Sequence, residues 1–145
     1  MNNLDLRLIK ASRLGKLNEV KSLIEQGADI HADDDCALRW AAKNGNTDVV
    51  KLLLENGANI HADYVLLWVA LKGHTDVVKL LLENGADVHA QNDYALRLAA
   101  EYGHIDVVKL LLENGADVHA QNDCALYWAS RNGHTETVKL LKSYM

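Results

Sequence analysis

Seven histidines, two cysteines and a run of three aspartates are the residues of this 145-residue chain whose types could do chemistry. Histidine beside carboxylate could ligate zinc or move protons near neutral pH, and a thiolate could attack an electrophile. Their spacing argues against all three. His31, His61, His89 and His119 sit in one recurring context, Ala-Asp/Asn-Ile/Val-His-Ala, and His74, His104 and His134 each follow a glycine. Each class occurs at most once per structural unit. Packed helices lie about 8–10 Å apart, so equivalent histidines cannot share one ion whose ligand bonds are roughly 2 Å long. Their imidazoles are expected to hydrogen-bond backbone in turns. Cys36 and Cys124 occupy the same position three units apart, about 25–30 Å by stacking, beyond disulfide reach. No base recurs beside either thiol. Asp33-Asp34-Asp35 reads as a charged turn ahead of a helix, and no phosphate-cradling glycine loop is present. No catalytic residue, metal ligand or cofactor is expected.

The elements that carry these residues follow from the glycines. All nine fall in two interleaved series, Gly15/45/73/103/133 and Gly27/57/85/115, stepping 30, 28 or 30 residues. The units run over about 1–28, 29–58, 59–86, 87–116 and 117–145. Within each, a segment such as VVKLLLENG (49–57) has apolar residues on one helical stripe and a glycine stop. Before it lies a second segment, CALRWAAKNG at 36–45, whose Leu38, Ala41 and Ala42 face inward and whose small side chains allow close helix approach. Asp5, Asp35, Asp63, Asp93 and Asp123 recur ten residues before the first-series glycine, the place for an N-cap. One helix pair cannot bury its own apolar face, so the units must stack. Lys10, Ser12 and Lys142 replace apolar or small residues in the first and last units, as capping repeats require. The expected fold is all-α, a solenoid of five stacked helix-turn-helix repeats with short turns, forming one domain over 1–145.

Composition narrows the function. The net charge of −5 argues against nucleic acid or an anionic membrane as main partner. No apolar run approaches the ~20 residues of a membrane span, and the N-terminus lacks the apolar stretch of a signal peptide. The chain is expected to be soluble, cytoplasmic and monomeric.

The string GADVHAQNDYALRLAAEYGHIDVVKLLLENGA (85–116) resembles the ankyrin repeat, and the resemblance runs through essentially all of the chain. It departs from that family in three ways. The period is 30 residues, once 28, where about 33 is usual. The Thr-Pro-Leu-His tetrapeptide is replaced by CALR, YVLL, YALR and CALY, and histidine stands for the asparagine of Asp-Val-Asn-Ala. The shortened form looks like ankyrin arrays of large DNA viruses. The turn that projects as a finger in the family should be blunted, most of all at Asp63. The resemblance implies a non-catalytic scaffold that binds a protein partner on its concave first-helix face.

Comparing the units with one another locates that face. The second helices barely vary, whereas three positions of each first helix do: Trp40/Lys43/Asn44, Trp68/Leu71/Lys72, Leu98/Glu101/Tyr102 and Trp128/Arg131/Asn132. Their i, i+3, i+4 spacing puts each set on one side. The tryptophans would anchor a partner, or else pack between neighbouring first helices. Arg39 and Arg97 would join the charged residues that set specificity. Leu67, Trp68 and Leu71 would form an apolar patch, unless the shorter third unit shifts its helix and buries the leucines. That patch is the basis of the alternative function, a structural protein that assembles with itself.

Overall fold

The computed structural model describes residues 1–145 apart from the side chain of Asp63, and those residues form ten α-helices in five consecutive pairs. They are α1 (Asn3–Arg13), α2 (Leu17–Glu25), α3 (Ala32–Lys43), α4 (Thr47–Glu55), α5 (Val65–Lys72), α6 (Thr75–Glu83), α7 (Ala90–Glu101), α8 (Ile105–Glu113), α9 (Ala120–Arg131) and α10 (Thr135–Ser143). A 3-10 turn over Ala62–Tyr64 precedes α5. The chain divides into two compact units, Met1–Val65 and Leu66–Met145. In the first, α1 packs on α3 and α2 on α4; in the second, α7 packs on α9, and α6, α8 and α10 follow one another. The expected all-α, stacked helix-pair architecture is what each unit contains.

Each core is a file of leucines and valines at one face per helix. Leu8, Leu38, Leu23 and Leu53 fill the first unit, and Leu81, Leu96, Leu111 and Leu141 the second, all with essentially no exposure. Ala41, Ala42, Ala99, Ala100 and Ala129 are equally buried, as the tight helix contacts require. The second helices stop as their glycines predict. After α4, Gly57 takes φ +93°, the Ala58 N–H donates to Leu53 O at 3.0 Å and the Gly57 N–H to Leu54 O at 3.0 Å. That is a Schellman cap, in which a left-handed residue lets the chain turn back on the last carbonyls.

The turns before the first helices hold a surprise. Three successive residues are left-handed in each of three turns: Asp33–Asp35, Gln91–Asp93 and Gln121–Asp123, with φ between 52° and 60°. Left-handed backbone costs non-glycine residues roughly 1–2 kcal/mol each, less for Asn and Asp, whose short polar side chains tolerate it. The right-handed helix therefore starts only at Cys36, Tyr94 or Cys124. This geometry corrects the N-cap expectation. An N-cap side chain needs extended backbone to reach over its own first turn, and a left-handed residue does not point there. The Asp35 and Asp93 carboxylates, both buried, instead accept the N–H of the residue 24 positions on: Asn59 to Asp35 and Asp117 to Asp93, each at 2.8 Å. In α1 the N-cap is Asn2, which exchanges hydrogen bonds with Asp5 in a capping box, and Asp5 Oδ1 takes the Asp29 N–H at 2.8 Å. The recurring aspartate is a staple from one repeat to the next. The Asp63 side chain lies outside the described residues; the turn expected to be blunted there is the 3-10 turn of Ala62–Tyr64.

Candidate partner-binding face

The histidines complete the stapling and divide by class. Among the described residues the rings of His31, His89 and His119 meet carboxylates where backbone was expected. Their Nδ1 atoms lie 3.1, 3.0 and 2.7 Å from the carboxylates of Asp35, Asp93 and Asp123, four residues on. Their own N–H groups donate to Asp29, Asp87 and Asp117 at 2.9 Å. The glycine-following class behaves as expected: His104 Nε2 donates to Leu71 O and His134 Nε2 to Glu101 O, both at 2.9 Å. Asn46 fills this place in the second repeat, donating to Ser12 O at 2.9 Å. Each bond satisfies a carbonyl at the C-terminal end of the preceding first helix, where helical partners run out. Among the described residues no three His, Cys, Asp or Glu side chains gather as a metal shell. Burial pushes the Cys36 thiol up, which keeps it protonated, and Cys124 borders a cavity of about 130 Å³ with Tyr94, Arg97 and Gln121.

With the staples assigned, the variable first-helix residues sort into committed and available. Asn44 and Asn132 are committed: their amides donate to Arg13 O at 3.0 Å and Glu101 O at 2.8 Å, so both also join neighbouring repeats. Arg39 is drawn back to its own turn, giving Nε to Asp34 O at 3.1 Å and Nη2 to Asp33 O at 2.8 Å. Arg97 pairs with Glu101 at 3.5 Å and lies over the rings of Tyr94 and Trp128.

Of the tryptophans, Trp40 is 36% and Trp68 43% exposed, while Trp128 is half-buried with Tyr127 edge-on at 5.3 Å. Arg13 and Lys43 lie over the Trp40 ring at 5.8 and 5.1 Å from its centre. Tyr102 is exposed and stacks on His104, Leu98 is half-buried, and Lys72 and Arg131 reach solvent. Leu67 corrects the apolar patch: it is buried at 9% exposure, and Leu71 is half-buried. Val65, Leu66 and Leu67 are all buried, and three successive positions sweep about 200° of a helix at ~100° each. A helix enclosed that far round hides the leucine that stands where other repeats carry arginine or tyrosine. Tyr127, the most exposed aromatic of the first helices, lies within the CALY tetrapeptide, one position before the variable set that begins at Trp128, so the comparison of repeats does not single it out.

A search against family models decides the family. The ankyrin-repeat model, described as three copies, matches residues 5–64 and again 66–145. The chain belongs to the ankyrin-repeat family. Ankyrin repeats are in general protein–protein interaction modules and typically non-catalytic scaffolds. The first match ends and the second begins near the boundary of the two compact units, where the shortened third ankyrin repeat begins its first helix. Among the described residues no helix is long and apolar enough to cross a membrane.

Proposed function

We propose that the chain is a non-catalytic binding scaffold that holds a protein partner on the first-helix faces of its ankyrin repeats. The observation that carries this reading is the contrast between the two helix sets. Trp40, Trp68, Tyr102 and Tyr127 stand exposed on or at the end of first helices, whereas the second helices present mainly lysine, glutamate and aspartate, with Leu17, Ile105 and Tyr144 exposed only at their ends. Large aromatics held out in water are poor framework and good anchors. The site comprises Trp40, Lys43, Trp68, Leu71, Lys72, Leu98, Glu101, Tyr102, Trp128 and Arg131, with Asn44 and Asn132 bordering it. We take residues 1–145 as one domain, monomeric and cytoplasmic; the free cysteines and the charge of −5 fit a reducing compartment and a partner other than nucleic acid.

A photoreactive side chain at Tyr102 or Arg131 should crosslink a protein in cells, and one at Lys51 or Lys109 on the second helices should not. Equal crosslinking from both sets would sink the reading. Assembly with a second copy through α5 is the weaker alternative, because Leu67 lies inside. Light scattering that shows a dimer abolished by Leu71→Lys would restore it.

A further inference from the structure

The two first helices of unit Met1–Val65 differ from their partners in charge as well as in shape. The right-handed bodies of α1 and α3 carry Arg7, Lys10, Arg13, Arg39 and Lys43 and a single acid, Asp5, whose carboxylate is taken by the N–H groups of Asn2 and Asp29. The paired helices α2 and α4 run the other way, with Glu19, Glu25, Asp48 and Glu55 against Lys21 and Lys51. A protein of net charge −5 thus concentrates cations on one helix set of this unit. They are placed around an aromatic. Lys10 and Arg13 are one turn apart on α1, both exposed, and Arg13 lies over the Trp40 ring together with Lys43. Among the described residues neither Lys10 nor Arg13 meets a carboxylate. Leu14, at the end of α1, is 51% exposed and adds an apolar contact beside them.

From this geometry we infer that Lys10, Arg13, Leu14, Trp40 and Lys43 form a docking site for an acidic peptide segment with an apolar side chain among its carboxylates. A guanidinium lying over an indole keeps its in-plane N–H fork for a carboxylate, which it meets in bidentate geometry. The indole contributes contact area to the peptide's apolar residue. Charge complementarity of this kind mainly accelerates association and rejects neutral competitors. The inference rests on the proposed role of the first helices in binding protein, and names the chemistry of the partner for this unit.

The test uses the full chain and a fluorescein-labelled dodecapeptide of repeated Glu-Glu-Leu, followed by fluorescence anisotropy at about 50 mM salt, where screening is weak. Binding is expected for this peptide and absent for its Gln-Gln-Leu analogue. Arg13→Glu should weaken it at least about tenfold, whereas Lys51→Glu on α4 should change it less than about twofold. Trp40→Leu should weaken it as well; if that variant loses its helical circular dichroism, Arg13→Glu decides alone. The inference is overturned if no binding is seen, if the neutral peptide binds equally, or if Lys51→Glu acts as strongly as Arg13→Glu, which marks plain electrostatic adsorption. Tighter binding of an oligothymidylate of matched charge overturns it in favour of nucleic acid, and dimerisation in light scattering that Arg13→Glu abolishes overturns it in favour of a second copy. If photocrosslinks form from Tyr102 or Arg131 while the peptide fails, the acidic chemistry falls and the scaffold reading stands; if both fail, both fall.

Discussion

Replacing Asp93 by alanine should cost far more than the same replacement at Asp123, although the two residues occupy one repeat position. Asp93 is buried and holds two partners, the Asp117 N–H at 2.8 Å and His89 at 3.0 Å. Asp123 has His119 at 2.7 Å, and its side chain is 49% exposed. Among the described residues it accepts no N–H from a following repeat. Both backbones are left-handed, φ 59° and 60°, so the conformational cost of alanine cancels between them. What remains is one charge-assisted hydrogen bond and the backbone N–H orphaned by its loss, about 1.5–3 kcal/mol. The exposed Asp123 pair should contribute about 0–1 kcal/mol. Urea denaturation followed by circular dichroism should therefore separate the variants by about 2 kcal/mol, or about 4–8 °C in Tm for a chain of this size. Asp93→Asn keeps an oxygen acceptor and should recover part of the loss. Hydrogen exchange adds a local readout, since protection of the Asp117 amide should fall in Asp93→Ala. Equal costs at 93 and 123, or unchanged exchange at Asp117, would refute the staple.

Three further outcomes are expected. The Asp29 N–H, and after it the Asn2 N–H, hold the Asp5 carboxyl below the usual carboxylate range. The stability it contributes is thus present above the ordinary value near pH ~3.9 and lost as pH falls through the lower folded one. The stability gap between wild type and Asp5→Asn should be constant at neutral pH and close only in strong acid; a gap that closes near pH ~6, where histidine titrates, would contradict this. Gly103→Ala should destabilise more than Gly115→Ala: both have positive φ, but a Cβ at 103 would lie 2.5 Å from His134 Nδ1 and one at 115 meets nothing within 4 Å. Matching melting temperatures would show that His134 yields freely. Gln121→Gly should stabilise the chain by about 0.5–1 kcal/mol, because glycine relieves a left-handed φ of 55° that glutamine tolerates poorly. A lowered urea midpoint would rule that strain out.

The helices, their pairing and the family were legible in the residues because periodicity is a local signal repeated five times. Glycine after an apolar stripe means the same cap wherever it occurs, as Gly57 shows. The direction of a side chain in a turn is different. Asp35 and Asp93 stand where an N-cap should, and only the left-handed backbone beneath them sends their carboxylates to an N–H 24 residues away. Asn44 and Asn132 varied like binding residues, yet each closes the end of a neighbouring helix, a partner 31 positions distant that no local pattern names. Leu67 and Trp68 are adjacent in an apolar helix, and sequence could not say which would be enclosed; the packing around α5 buries the leucine at 9% exposure and leaves the tryptophan at 43%. Repeat order is written in short-range pattern. Which side chains remain free to meet a partner is set by contacts between repeats, and those exist only once the chain has stacked.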